Sequence, residues 1–210
     1  MSDAKPKSTM RQILESGPTD ALITQKLDLL EQLQAAHAQN DQTKMLEIGQ
    51  ELAANALEIE HSQKARRAKM RKAVAQAKKV ADPEERTRKL LSAFEFCVKE
   101  TCAAKSESGD RETYNFGVKR LREISAELRT LNRFSALEQF LDSPNIELRG
   151  FAAVWLRNLW PERILPILQE IEKTMSFGTP AGTQVYIAMR ELEQAKEKAA
   201  AGHTEPDAKS

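Results

Sequence analysis

The chain has 210 residues, of which 30% are charged and only 5% aromatic, and its formal net charge is +1. This length allows one or two compact domains. No apolar run reaches the roughly 18 residues that a membrane-spanning helix needs, and the polar segment 1–10 lacks the apolar core of a secretion signal. Ala, Leu, Glu, Lys, Gln and Arg predominate, and only eight Gly and eight Pro interrupt them. Since these abundant residues favour helix, the composition predicts an all-α protein.

The first 81 residues predict a flexible N-terminus, residues 1–19, followed by a helical hairpin, residues 20–81. Asn40 tolerates a left-handed turn and Asp41 can cap a new helix, so the chain reverses there. Apolar residues recur at helical spacing on both sides of the break: Leu22, Ile23, Leu27, Leu30 and Leu33, then Met45, Ile48, Leu52 and Ile59. Two helices bury too little surface to be stable alone. The hairpin is therefore expected to dock on the rest of the chain, on a partner, or on a second copy as a homodimer through residues 20–60.

The second helix has no breaker before Val80 and becomes strongly basic. Between residues 64 and 79 it carries eight Lys or Arg and no acid. The candidate binding residues on this basic segment are Lys64, Arg66, Arg67, Lys69, Arg71 and Lys72. A helix this polar is expected to have no wide core face.

Three interpretations of the basic segment remain open. The cations can follow a phosphate backbone, dock on an acidic protein, or stay solvated and pair with the acids of residues 15–60. No aromatic residue lies among them, which removes base stacking as a contribution. Large apolar residues, which a membrane-surface helix needs, are also missing, so no membrane contact is predicted.

Residues 82–198 predict a second helical domain, and residues 199–210 predict a disordered tail. Asp82 is the expected cap of the first helix of this domain, because a Pro and two acids follow it. The two cysteines, Cys97 and Cys102, lie five residues apart, and no histidine is near them. A Cys/His metal site needs tighter spacing. We therefore expect two buried reduced thiols, no metal, no cofactor and a cytoplasmic location.

Residues 136–171 resemble a HEAT repeat. The points of likeness are the Leu-Asp-Ser-Pro-Asn turn at 141–145, Arg149 seven residues after Asp142, a pair of alanines and a Pro-Glu helix start. The resemblance implies that Asp142 and Arg149 hydrogen-bond between neighbouring repeats. Residues 88–195 also resemble a family of small bacterial proteins classed as a domain of unknown function with HEAT-like helices, which implies a fold but no activity. Since a solenoid needs three or more repeats, the helices before residue 132 are expected to act as a cap.

The sequence contains no phosphate-binding loop, no nucleophile elbow and no zinc-protease motif, so we expect no catalytic residue and no enzyme. Trp155 falls on an apolar face and is expected in the core. Trp160 is expected at a rim, where an amphipathic ring favours binding. The candidate recognition surface of the repeat comprises Arg157, Trp160, Glu162 and Arg163. The preferred hypothesis is a protein-interaction module, an adaptor or an immunity-type inhibitor, with an unidentified protein partner; the alternative is a nucleic-acid-associated protein using residues 64–79.

Overall fold

The computed structural model describes residues 18–108, 110–175 and 180–202, and every element in these ranges is helical. The elements in chain order are α1 (Pro18–Ala38), α2 (Gln42–Lys78), α3 (Pro83–Ser108), α4 (Arg111–Thr130), a 3-10 helix (Phe134–Phe140), α5 (Ile146–Leu156), α6 (Pro161–Thr174) and α7 (Pro180–Gly202). The predicted all-α fold is confirmed. Over the same ranges, no helix combines the length and the apolar character that crossing a membrane requires.

Capping chemistry sets the starts of α2 and α3 as the sequence predicts. Asn40 has a φ of 55°, in the left-handed region, and reverses the chain after α1. The Asp41 carboxylate then accepts the backbone N–H of Lys44 at 3.0 Å. In the same way, the Asp82 carboxylate accepts the backbone N–H of Glu85 at 2.7 Å at the start of α3.

Helix boundaries at the two ends of the chain differ from the prediction. Helix α1 already begins at Pro18, inside the segment expected to be flexible. Helix α7 continues through Gly202, into the predicted tail, because the three alanines before it have the highest helix propensity. The predictions for residues 1–17 and 203–210 lie outside the described residues.

The C-terminal half of α2 belongs to the main core, which corrects the expectation that the basic segment has no wide core face. Met70, Val74 and Ala77 are each at most 2% exposed, and they join one apolar cluster with residues of α3 to α7. Their spacing of three and four residues keeps them on one side of the helix while Lys and Arg occupy the others. The boundary predicted at residues 81/82 therefore does not separate two cores.

Close packing between α3 and α4 organises this main core. Gly117 on α4 lies against Thr101 on α3, and a Cβ at Gly117 would meet the Thr101 Oγ1 at 1.9 Å. Phe94 on α3 stacks on Phe140 of the 3-10 helix with ring centroids 5.7 Å apart. Helices α5, α6 and α7 complete the cluster on the far side from α2.

The hairpin of α1 and α2 has only a thin interior of its own. Leu29, Ala36 and Ile48 are its buried apolar residues. Asn55 is also buried, at 3% exposure, and its Nδ2 donates to the carbonyl oxygen of Leu22 at 3.0 Å. The two antiparallel helices are thus held together by a small apolar contact and a polar tie near the start of α1.

Candidate interaction surfaces

The side-chain contacts at the turn of the HEAT-like segment differ from those that the resemblance implies. Asp142 is exposed, and Arg149 pairs with Glu170 of α6, Nη2 to Oε1 at 3.4 Å. Over the described residues no ion pair joins Asp142 to Arg149. The structure therefore lacks the contact that the HEAT resemblance implies for this pair. The cap of α5 is Asn145, whose Oδ1 accepts the backbone N–H of Leu148 at 3.0 Å. Asn145 lies next to the first helical residue, where the N–H groups are free, and Asp142 lies too early in the turn.

Arg157, predicted as part of a recognition surface, is committed to internal contacts. Its Nη1 donates to the carbonyl oxygen of Val154 at 2.7 Å, at the end of α5. Its Nη2 lies 2.9 Å from the Glu191 carboxylate on α7. Arg157 therefore caps the C-terminal end of α5 and links α5 to α7. Because its guanidinium makes both contacts, little of its charge is available to a partner.

The other predicted residues of the repeat surface stay together at the start of α6. The guanidinium of Arg163 lies over the ring of Trp160, with Cζ 5.4 Å from the centroid, and its Nη1 lies 2.5 Å from a carboxylate oxygen of Glu138. Trp160 is half-buried and Glu162 is exposed. Leu159, which sequence reasoning missed, is 47% exposed beside them. Trp155 packs against the main core, as expected.

Two arginines of the basic segment are turned inward. Nε of Arg66 lies 3.0 Å from the Glu100 carboxylate of α3, and these side chains are 13% and 20% exposed. Nη1 of Arg67 lies 3.2 Å both from the Glu112 carboxylate and from the Thr113 hydroxyl at the start of α4. These acids belong to the main domain, which comprises α3 to α7, and not to residues 15–60, which the third interpretation pairs with the basic segment.

The lysines of the basic segment face solvent. Lys64 pairs with Glu60 one turn earlier at 2.6 Å, an acid within residues 15–60. Arg71 lies over the Phe116 ring, 5.6 Å from its centroid, and remains exposed. Lys69 and Lys72 are exposed and form no ion pair within the described residues. The cationic surface is accordingly smaller than the sequence suggests.

Four large apolar side chains of the hairpin are exposed, and two of them, Leu27 and Leu30, belong to the apolar stripe predicted on α1. These residues, which we call the leucine face, are Leu27 (44% exposed), Leu30 (39%), Leu46 (66%) and Leu57 (58%). They account for four of the six exposed large apolar residues in the described ranges. Single exposed leucines are common on protein surfaces, but four on one small hairpin indicate a binding surface.

Helix geometry places the four leucines on the outer sides of the two helices. At about 100° per residue, Leu46 and Leu57 lie roughly opposite Ile48 on α2, Leu27 lies roughly opposite Leu29 on α1, and Leu30 lies about a quarter of a turn from Leu29. Leu46 and Leu57 therefore share the side of α2 that faces away from α1. Sequence reasoning missed Leu46 and Leu57; the available signal was a second series at helical spacing, Leu46, Ala53 and Leu57, on the side of α2 opposite the stripe that faces α1.

The cysteines contribute no reactive group to any surface. Cys97 and Cys102 are free and buried. Burial raises the pKa of the Cys97 thiol from 9.0 to about 12, so the thiol stays protonated at neutral pH. Among the described residues, no group of three His, Cys, Asp or Glu side chains is arranged to hold a metal ion.

Comparison with known proteins finds no family model, no curated protein and no solved structure that matches the chain. The HEAT-like character of residues 136–171 stays an interpretation of the sequence.

Proposed function

We propose that this chain is a non-catalytic protein-interaction module that binds a partner protein through the leucine face. The observation that carries the proposal is the exposure of Leu27, Leu30, Leu46 and Leu57 on a hairpin that has few buried residues of its own. Covering these side chains would contribute roughly 25 cal/mol for each Å² of apolar surface removed from water. An adaptor and an immunity-type inhibitor would both use such a face, and the HEAT-like domain would be its rigid support.

The basic segment supports this proposal over nucleic-acid binding. Specific and non-specific phosphate binding both depend on cations that are free to displace counterions. Arg66 and Arg67 are largely buried and paired with Glu100 and Glu112. Both charges are thus already paired within the chain, that of Arg66 with a largely buried carboxylate and that of Arg67 with an exposed one. The proposal places the chain in the cytoplasm, where free thiols stay reduced.

A photo-crosslinking experiment in native cells tests the proposal. A photoreactive amino acid replaces Leu57 of the leucine face, or Lys99, an exposed residue of α3, as the matched control. We expect a defined protein adduct from the Leu57 position alone, and we expect Leu27→Glu together with Leu30→Glu to abolish it. With the adduct partner purified, Leu46→Glu should weaken binding at least about tenfold, which corresponds to about 1.4 kcal/mol. Equal labelling from both positions, or no adduct at either, would contradict the proposal.

A further inference from the structure

The side of α2 that faces away from the protein carries a continuous exposed stripe. Its members, which we call the outer stripe, are Leu46, Gln50, Ala54, Leu57, His61, Ala65, Ala68, Lys72 and Ala75. They recur every three or four residues, opposite the stripe that carries Ile48, Leu52 and Met70 toward the protein interior. The long helix therefore has one side embedded in its own chain and the other side uncovered over most of its length.

The spacing of the outer stripe is nearly symmetric about His61. A second α2 running antiparallel, with a two-fold axis at His61, would place Leu46 over Ala75, Ala54 over Ala68 and Leu57 over Ala65. Leu46 and Leu57 would thus each meet an alanine, and Ala54 would meet Ala68, so the helices could approach closely at these positions. All other helices that contact α2 do so through its opposite side, so the main domains of two copies would lie on the outside of such a pair.

Charges beside the outer stripe are complementary in the same arrangement. Glu47 and Glu51 lie in the N-terminal half of α2 and Lys69 and Lys72 in the C-terminal half, and all four are exposed. None of them forms an ion pair within the part of the chain that the structure describes. Antiparallel pairing about His61 places Glu51 beside Lys69 of the second copy and Glu47 beside Lys72, twice over by symmetry.

The charges also favour a two-fold axis at His61 over the simplest alternative, an axis near Leu52. If two hairpins stacked with the axis near Leu52, leucine would face leucine, but the acids Glu47, Glu51 and Glu58 of each copy would face those of the other. Like charges across a helix pair are destabilising. Moving the axis to His61 keeps Leu46 and Leu57 covered and replaces that repulsion with attraction between the acidic and the basic half of α2.

We propose that a second copy of this chain docks on the outer stripe, with the two α2 helices antiparallel about an axis at His61. This inference rests on the proposed function, because Leu46 and Leu57 belong to the leucine face, and it names the partner as the chain itself. It also assigns a role to Lys69 and Lys72, two of the predicted binding residues that lack an ion pair in the described structure.

Disulfide trapping in the full-length protein tests the position of the axis. Cys97 and Cys102 are buried and add little background. With mild oxidation, His61→Cys should form a covalent dimer in more than about half of the chains, since residue 61 faces itself at the axis. Ala54→Cys is the control, because the two copies of residue 54 would lie roughly 20 Å apart along the helices. The double variant Ala54→Cys, Ala68→Cys should cross-link again.

Charge reversal tests the pairing in solution. By sedimentation velocity, Lys69→Glu and Glu51→Lys should each weaken dimerisation at least about tenfold at low salt, and the combined variant should return to within about threefold of wild type. Lys99→Glu, on α3, is a control of equal charge change. A wild type that stays monomeric at about 100 μM, or a dimer that Lys69→Glu affects no more than Lys99→Glu, would overturn the inference. If the monomeric chain still gives a Leu57 adduct with a different protein, the proposed function stands and the self-pairing alone fails.

Discussion

Nε of Arg66 on α2 lies 3.0 Å from a carboxylate oxygen of Glu100 on α3, and both side chains are largely buried. This ion pair ties the long helix of the hairpin to the main domain. A charge-assisted contact shielded from solvent is stronger than an exposed one, and each partner makes the burial of the other tolerable. The basic segment therefore serves in part to hold α2 against α3.

Arg66→Gln should destabilise the protein by about 1–3 kcal/mol, because Glu100 would keep its burial and lose its cation. Lys69→Gln should change the free energy of unfolding by less than about 0.5 kcal/mol, since Lys69 is exposed and unpaired among the described residues. Gln is nearly as good a helix former as Lys or Arg, so the helix itself should persist in both variants. Urea denaturation of monomeric protein at dilute concentration measures both, and equal losses would contradict this account.

Local chemistry made the starts of α2 and α3 predictable, and tertiary contacts made the surfaces hard to predict. Asp41 and Asp82 act within three residues of themselves, so their capping roles can be read from the sequence. The partner of Arg66, by contrast, lies 34 residues away on another helix. No local pattern distinguishes Arg66, which is turned inward, from Lys69, which is not.

The leucine face illustrates a second limit. Leu27 and Leu29 are both leucines of one helix, yet Leu27 is 44% exposed and Leu29 is 4% exposed. When apolar residues occupy more than one side of a helix, periodicity does not say which side its neighbour covers. Met70, Val74 and Ala77 were hard to identify for the opposite reason, because three apolar residues are inconspicuous among eight cations.

Gly117→Ala should destabilise the protein by about 1–3 kcal/mol, because the added methyl would meet the buried Thr101 side chain at 1.9 Å. Thr101 has little freedom to move, since its hydroxyl donates to the Cys97 carbonyl oxygen at 2.5 Å. Gly49 is the matched control, because it is also helical and a Cβ there would meet nothing within 4 Å. Gly49→Ala should therefore stabilise by about 0.5–1 kcal/mol. Thermal unfolding should separate the two variants in sign.

Asn145→Ala should cost about 1 kcal/mol, because the N–H of Leu148 at the start of α5 would lose its acceptor. Asp142→Ala should cost less than about 0.5 kcal/mol, since its side chain is exposed. Chemical denaturation of the two variants decides which residue holds the turn. A larger loss for Asp142→Ala would restore the HEAT-type contact that the resemblance implies.

Stability should fall as the pH rises above about 9, because of Cys97. Its pKa is raised from 9.0 to about 12 in the folded protein by burial. Between these values the unfolded chain releases the thiol proton and the folded protein keeps it, so the free energy of unfolding decreases by up to about 1.4 kcal/mol per pH unit. Below about pH 9 this contribution is fully present. Denaturation of Cys97→Ala at a series of pH values should show a shallower slope, and an identical slope would contradict the assignment.

The full-length protein should not bind DNA with micromolar affinity at physiological salt. Ion pairs of Lys64, Arg66, Arg67 and Lys78 leave four exposed cations of the basic segment without an ion pair in the described structure: Lys69, Arg71, Lys72 and Lys79. With so few phosphate contacts, the logarithm of the affinity should fall with the logarithm of the salt concentration at a slope of about −4 or shallower.

Fluorescence anisotropy with a labelled duplex, at low and at physiological salt, measures this slope. Lys69→Gln with Lys72→Gln should abolish the weak binding seen at low salt, whereas Lys99→Gln on α3 should leave it unchanged. The same pair of lysines lies in the proposed contact between two copies, so DNA and dimerisation should compete: raising the protein concentration should weaken the DNA signal per chain. Tight binding that survives physiological salt would mean that phosphate reaches Arg66 and Arg67 by displacing Glu100 and Glu112, and the nucleic-acid alternative would then take the place of the interaction module.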